Sequence, residues 1–175
     1  MQFKRIFKHL LSTDAQLRRA FPASTLAAIE KEITASEAAH AGQIRFAVEG
    51  ALDGLPLFQG HSPRHRAIDL FSQLRVWDTE HNNGLLIYLL LGDRAVEIVA
   101  DRGIMAKVGV SEWEKVCRQM EEDFRRSDFK AGAINGLQAV TRHMVAHFPA
   151  DGRFGGNELS NSPVVLRGNQ QWKQA

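Results

Sequence analysis

The chain contains a single cysteine, Cys117. That excludes an intrachain disulfide and any multi-cysteine metal site, and it suits a reducing compartment, so a cytoplasmic location is expected. Long apolar runs are missing too. The longest, Leu85 to Leu91, is far too short to span a bilayer, and the opening MQFKRIFKHLL lacks the unbroken apolar stretch of a secretion signal. Neither charge sign dominates: 22 Lys and Arg stand against 20 Asp and Glu, a net +2 that is no footprint of a dedicated nucleic-acid binder. A basic stripe with interleaved exposed aromatics is also lacking, as are internal repeats and runs of like charge.

What is present is enough apolar material for one core: 44% of the 175 residues are hydrophobic. Thr13, Ser24 and Ser36 offer helix starts, and Thr25 to His40 is rich in good helix formers, which predicts two opening helices. QIRFAVEGAL alternates Ile44, Phe46 and Val48 with Arg45, Ala47 and Glu49, the period of a half-buried strand. After a Pro- and Gly-bearing loop from Asp53 to Pro63, the residues Ala67, Leu70, Phe71, Leu74 and Trp77 recur at helical spacing. LLIYLLL then reads as a central strand covered on both faces, and Gly92-Asp93-Arg94 turns the chain back as AVEIVA, its antiparallel partner.

Ser111 and Glu114 have the spacing of a capping box, ahead of a stripe of Trp113, Val116, Cys117, Met120 and Phe124. Asp128 starts a further helix with a stripe of Phe129, Ala133, Leu137, Val140, Met144 and Phe148, which Pro149 ends. Gly132 and Gly136 predict close helix packing, and Cys117 an inert core thiol. The order strand, helix, strand, hairpin, helix, helix predicts an α/β fold, a single-domain αβα sandwich with a small mixed sheet flanked by helices. The domain runs over residues 23–149, with a helical extension at 1–22 and a flexible tail at 150–175. In the extension, Phe3, Ile6, Phe7, Leu10 and Leu11 share one helical face, suited to core packing or to an anionic lipid surface. In the tail, NELSNSPVVL can add an edge strand or bind in trans.

Strand direction has a consequence for chemistry. A parallel first pair and an antiparallel hairpin bring Asp101, at the end of VEIVADRGI, to the rim where Asn82 and Asn83 open the central strand. Asp78 and Thr79 follow the preceding helix at the same rim. Asp78 and Asp101 can give hard oxygen ligands to calcium or magnesium, with an asparagine carbonyl and waters completing the shell. Arg102 can hold an anion, and Gly103 invites a positive-φ turn that brings amides toward it. The plain alternative is that Asp101 and Arg102 only close a strand end and pair with local backbone. His143 and His147, and His61 and His65, have ligand spacing but no further support: no glutamate stands between the first pair, and Pro63 interrupts the second.

With these residues in place, the chain resembles the TPM domain family. NNGLLIYLLLGDRAVEIVADRGI is similar to the family's central hairpin, SEWEKVCRQMEEDFRRSDFKAGAINGLQAV to its closing helix pair, and HFP with NELSNSPVVL to the tail of a short bacterial subgroup. The similarity spans about Thr25 to Phe148. It implies an αβα sandwich and a divided set of activities: acid phosphatase in some members, divalent-metal binding at the sheet edge in some, and help in assembling or turning over membrane protein complexes in others. One departure weakens a metal site, because Asn82 stands where the family pattern implies an acidic residue.

Two functions are therefore expected to compete. One is phosphate-ester hydrolysis at Asp78, Thr79, Asn83, Asp101 and Arg102, with calcium or magnesium as cofactor. The other is a non-catalytic interaction module with a membrane-associated protein partner, peripheral at the membrane.

Overall fold

The computed structural model describes residues 9, 14–52, 57, 60–150 and 156–166. One four-stranded mixed sheet organises them, in the order β3-β2-β1-β4. The strands are β1 (Gln43–Glu49), β2 (Gly84–Leu90), β3 (Ala95–Ala100) and β4 (Val164–Leu166). β1 and β2 pair in parallel, Gln43 opposite Gly84, and β2 and β3 pair antiparallel, Leu85 opposite Ala100. The αβα expectation holds, and no described helix is long and apolar enough to cross a membrane.

Period-two alternation sorts the sheet's side chains into two cores. Ile44, Phe46, Val48, Leu85, Ile87 and Leu89 meet the layer of helices α1 (Asp14–Ala20), α2 (Ala23–Glu37), α5 (Val110–Arg125) and α6 (Phe129–His147). Ala47, Leu86, Tyr88 and Leu90 meet α3 (Pro63–Gln73) and the loops around it. β1 is therefore buried on both faces rather than half-buried. Its two charged residues find partners inside: Arg45 donates to the Ser160 carbonyl, and Glu49 takes a two-bond clasp from Arg66, at 2.9 Å each, and the Tyr88 hydroxyl at 2.6 Å. Burial and the adjacent Glu49 hold the Tyr88 phenol well above its ordinary range.

Three expectations at helix ends change. Ser111 does not cap; α5 begins one residue earlier, at Val110, with Gly109 as N-cap and no side-chain bond. Ser24 and Ser36 start nothing: α2 opens behind Pro22, and Ser36 lies buried in its last turn. Trp77 leaves the apolar stripe of α3, because the helix stops at Gln73 and Arg75 takes a left-handed φ of 52°. Pro63 occupies the first turn of α3, where its missing N–H is harmless, and Ser62 caps the helix through the His65 amide. Asp128 caps α6 as expected.

The glycines of α6 are contact points. A Cβ on Gly132 would stand 2.8 Å from the Phe124 ring, and one on Gly136 would overlap Met120. Cys117, half-buried on α5, has its thiol pushed up to about 12, mainly by burial. At the other end of the chain, Val164–Leu166 forms a parallel edge strand on Ala47–Glu49, one of the two roles open to that segment. The stripe of Phe3, Ile6, Phe7, Leu10 and Leu11 lies outside the described residues. His9 is buried; its Nδ1 accepts the Leu52 amide at 2.9 Å and its Nε2 meets Asp93 at 2.9 Å.

Candidate functional site

The hairpin register carries Asp101 to the start of β2: its amide donates to the Gly84 carbonyl at 2.9 Å, extending the ladder by one bond. On the other side of β2, the Gln43 amide donates to the Asn83 carbonyl at 3.0 Å. The starts of β1 and β2 and the end of β3 thus make one rim.

Asp101 is the N-cap of a short helix, α4 (Arg102–Met105), with Oδ1 accepting the Arg102 amide at 2.6 Å. Its Oδ2 is buried and accepts no bond among the described residues. Arg102 is exposed, and its Nε donates to Asn82 Oδ1 at 3.1 Å. Asn82 holds a left-handed φ of 51°, which asparagine tolerates better than most residues. Gly103 is needed for space and not for a positive φ: it sits inside α4, and a Cβ there would come within 2.5 Å of the Asn82 carbonyl.

Thr79 and Asn83 form the floor. Thr79 Oγ1 accepts the Asn83 amide at 3.1 Å, and Asn83 Nδ2 donates to the Ala41 carbonyl at 2.6 Å. Asn83 Oδ1, like Asp101 Oδ2, is buried without a partner among the described residues. The two differ in setting, because Asn83 is tied to the β1 side of β2 while Asp101 stands on the β3 side. Asp78 turns elsewhere: its carboxylate, 47% exposed, pairs with Arg75 at 2.5 Å. Among the described residues no group of three or more His, Cys, Asp or Glu is arranged to hold a metal ion. The His143 ring meets Trp113 edge-on at 5.3 Å between centroids, and the His61 and His65 rings lie 5.6 Å apart.

Chemistry at the same rim also appears where the sequence offered no signal. A cavity of about 340 Å³ opens on the β1 side, between the end of α2 and the segment 156–161, and Glu37, His40, Glu80, His81 and Glu158 line it. Burial pushes the Glu37 carboxyl up to about 7, against the lowering pull of the Ile44 amide, which donates to Oε1 at 2.7 Å. Burial pushes His40 down to about 4. Its tautomer follows from its partners: Nδ1 accepts the Gly42 amide at 3.1 Å, so Nε2 carries the proton toward Ser36 Oγ at 2.8 Å. Ser36 in turn meets Thr141 Oγ1 at 2.6 Å, and Thr141 donates to the Leu137 carbonyl at 2.8 Å. The proton order runs away from His40, so Ser36 is not activated as a nucleophile. Glu37 and His40 sit in a segment with an ordinary helical composition, which is why periodicity missed them.

A small mixed sheet between helix layers, with a polar rim where its parallel strands begin, defines the class. The TPM domain profile matches residues 16–143, and the chain belongs to the TPM domain family. A solution structure of the BA42 protein from the psychrophilic bacterium Bizionia argentinensis is 26% identical, with a TM-score of 0.70 over 82% of this chain and 94% of that one. The N-terminal domain of a P. gingivalis protein shares the fold at 19% identity, with a TM-score of 0.55 over 69% of this chain and 75% of that one. No curated protein is significantly similar to the chain.

Proposed function

We propose that this TPM domain binds one divalent cation, calcium or magnesium, at Asp101 on the rim where β3 ends beside the start of β2, and hydrolyses phosphate esters there. The observation that carries the reading is Asp101 Oδ2, a covered carboxylate oxygen with no donor among the described residues. Such an oxygen is costly unless something pairs with it, and a hard, partly hydrated cation suits one carboxylate with waters completing its shell. Magnesium in particular keeps several waters and needs only one or two carboxylates. With Asn82 neutral and Asp78 drawn to Arg75, the site is a weak one, with a Kd on the order of 10⁻³ M. When bound, the cation would offset charge on the phosphate oxygens. Arg102, exposed and steadied through Nε by Asn82, adds a second positive charge toward the ester.

Turnover of p-nitrophenyl phosphate by the full chain, with magnesium or calcium and after chelation, tests the activity. Metal-dependent turnover that falls at least tenfold in Asp101→Asn is expected, and a folded protein without turnover in either metal refutes hydrolysis. Trp77 favours a second reading. It is 50% exposed beside Asp78, a large aromatic spent on no core and of a kind enriched in interfaces. Cation binding without turnover, together with a cross-link to a membrane-associated protein that Trp77→Ala removes, would select the interaction module.

A further inference from the structure

The segment Asn157 to Leu166 is a strap laid along the free edge of β1, and the body of the protein reads its main chain. Gln43 Oε1 accepts the Glu158 and Leu159 amides at 2.8 and 3.0 Å. Arg45 Nη1 donates to the Ser160 carbonyl and, at 3.4 Å, to that of Ser162. Side chains add specificity: Asn161 Nδ2 donates to Thr34 Oγ1 at 3.0 Å, Ser162 Oγ to Glu30 Oε1 at 2.6 Å, and the Glu80 amide to Glu158 Oε2 at 2.9 Å. The strap ends in three ladder residues, with Val164 and Leu166 buried.

We propose that this groove exchanges occupants, the strap of a second copy replacing the chain's own to give a reciprocal two-fold dimer. The groove cannot stand empty cheaply. Gln43 and Arg45 are themselves buried, at 6% and 7% exposure, and removal of the strap would leave their polar groups without these partners. A strap that leaves is therefore favoured to be replaced in kind. The pairs at Glu30, Thr34 and Glu80 select this chain's own segment over an arbitrary peptide, and a second copy restores every one of them. A swap thus trades equal contacts, the low-cost route to a dimer. Geometry limits the arrangement: Ala150 is held by the Ala39 carbonyl at 3.3 Å, and the five intervening residues to Gly156 span roughly 20 Å at most. The two bodies must lie side by side at their α2 ends.

Native mass spectrometry of mixed ¹⁴N and ¹⁵N full-length chain, concentrated and then diluted, tests the exchange. Dimers of mixed mass are expected, weakened at least tenfold by Val164→Asp with Leu166→Asp and dissolved by excess synthetic peptide 157–166. In a Cys117→Ser background, Thr34→Cys with Asn161→Cys is expected to give an oxidised covalent dimer. Circular dichroism confirms folding of the variants, and the peptide competition on unaltered protein stands independently of them. A chain that stays monomeric at every concentration, a dimer indifferent to the peptide, or a cross-link found only within one chain overturns the proposal.

Discussion

Replacing Glu37 by glutamine should make the protein more stable above neutral pH and leave it nearly unchanged in acid. The isostere keeps an oxygen for the Ile44 amide, so the substitution mainly removes a charge. In the folded chain the Glu37 carboxyl is pushed from 4.5 up to about 7 by burial, so the native state holds its proton more tightly than the unfolded chain. The stability it contributes is full below pH 4.5 and is lost as pH rises through 7. At about 1.4 kcal/mol per unit, discounted for partial solvent access, the loss is about 2 kcal/mol. His40 works in the opposite sense. Its folded value falls from 6.5 to about 4, so its contribution is present above 6.5 and lost as pH drops toward 4. Between these limits the two slopes oppose, and the wild-type profile is flattened. Urea unfolding from pH 4 to 8 should show the difference between Glu37→Gln and wild type growing from near zero below pH 4.5 to about 2 kcal/mol above pH 7. A constant offset across that range would refute the assignment of the raised carboxyl to Glu37.

The buried Glu49 cluster should respond unequally to its two partners. Arg66→Ala leaves a carboxylate with 4% exposure facing no cation and should cost about 3–5 kcal/mol, whereas Tyr88→Phe removes one bond and should cost about 1–2 kcal/mol, both read by chemical denaturation. Gly132→Ala should gain about 1 kcal/mol in helix propensity yet lose about 1–3 kcal/mol to overpacking on Phe124, so thermal melts should show no stabilisation. The Cys117 thiol, pushed up to about 12, should react with a disulfide reagent at pH 8 far more slowly than free cysteine, reaching that rate only on unfolding.

The layout of the sheet was legible because strands advertise themselves by period and by turns: LLIYLLL and AVEIVA pair as their hairpin requires, and Asp101 reaches the rim with Asn82 and Asn83. Details that depend on the third dimension were not. Trp77 fits the stripe of α3 by spacing, but the helix breaks at Arg75, and no periodic count registers one left-handed residue. Arg45 and Glu49 read as a solvent face because their partners, the Ser160 carbonyl and Arg66, come from distant segments. Gly103 suggested a positive-φ turn, but it lies inside α4, and its contribution is the room it leaves beside the Asn82 carbonyl. The cavity around Glu37 depends on the tail folding back, one of the two arrangements that the segment NELSNSPVVL left open. Asp78 shared a rim with Asp101 in the sequence argument, and its nearer attraction to Arg75, three residues away, follows from the turn that ends α3.

The rim is tested most directly by titrating magnesium and calcium into ¹⁵N-labelled full-length protein and following backbone amide shifts. Binding at the proposed place moves Asn82, Asn83, Arg102 and Gly103 together, saturates in the millimolar range, and disappears in Asp101→Asn while surviving Asp78→Asn. Shifts confined to the Glu37 and Glu158 cavity, or a rim that stays still at saturating metal, would contradict the role given to Asp101.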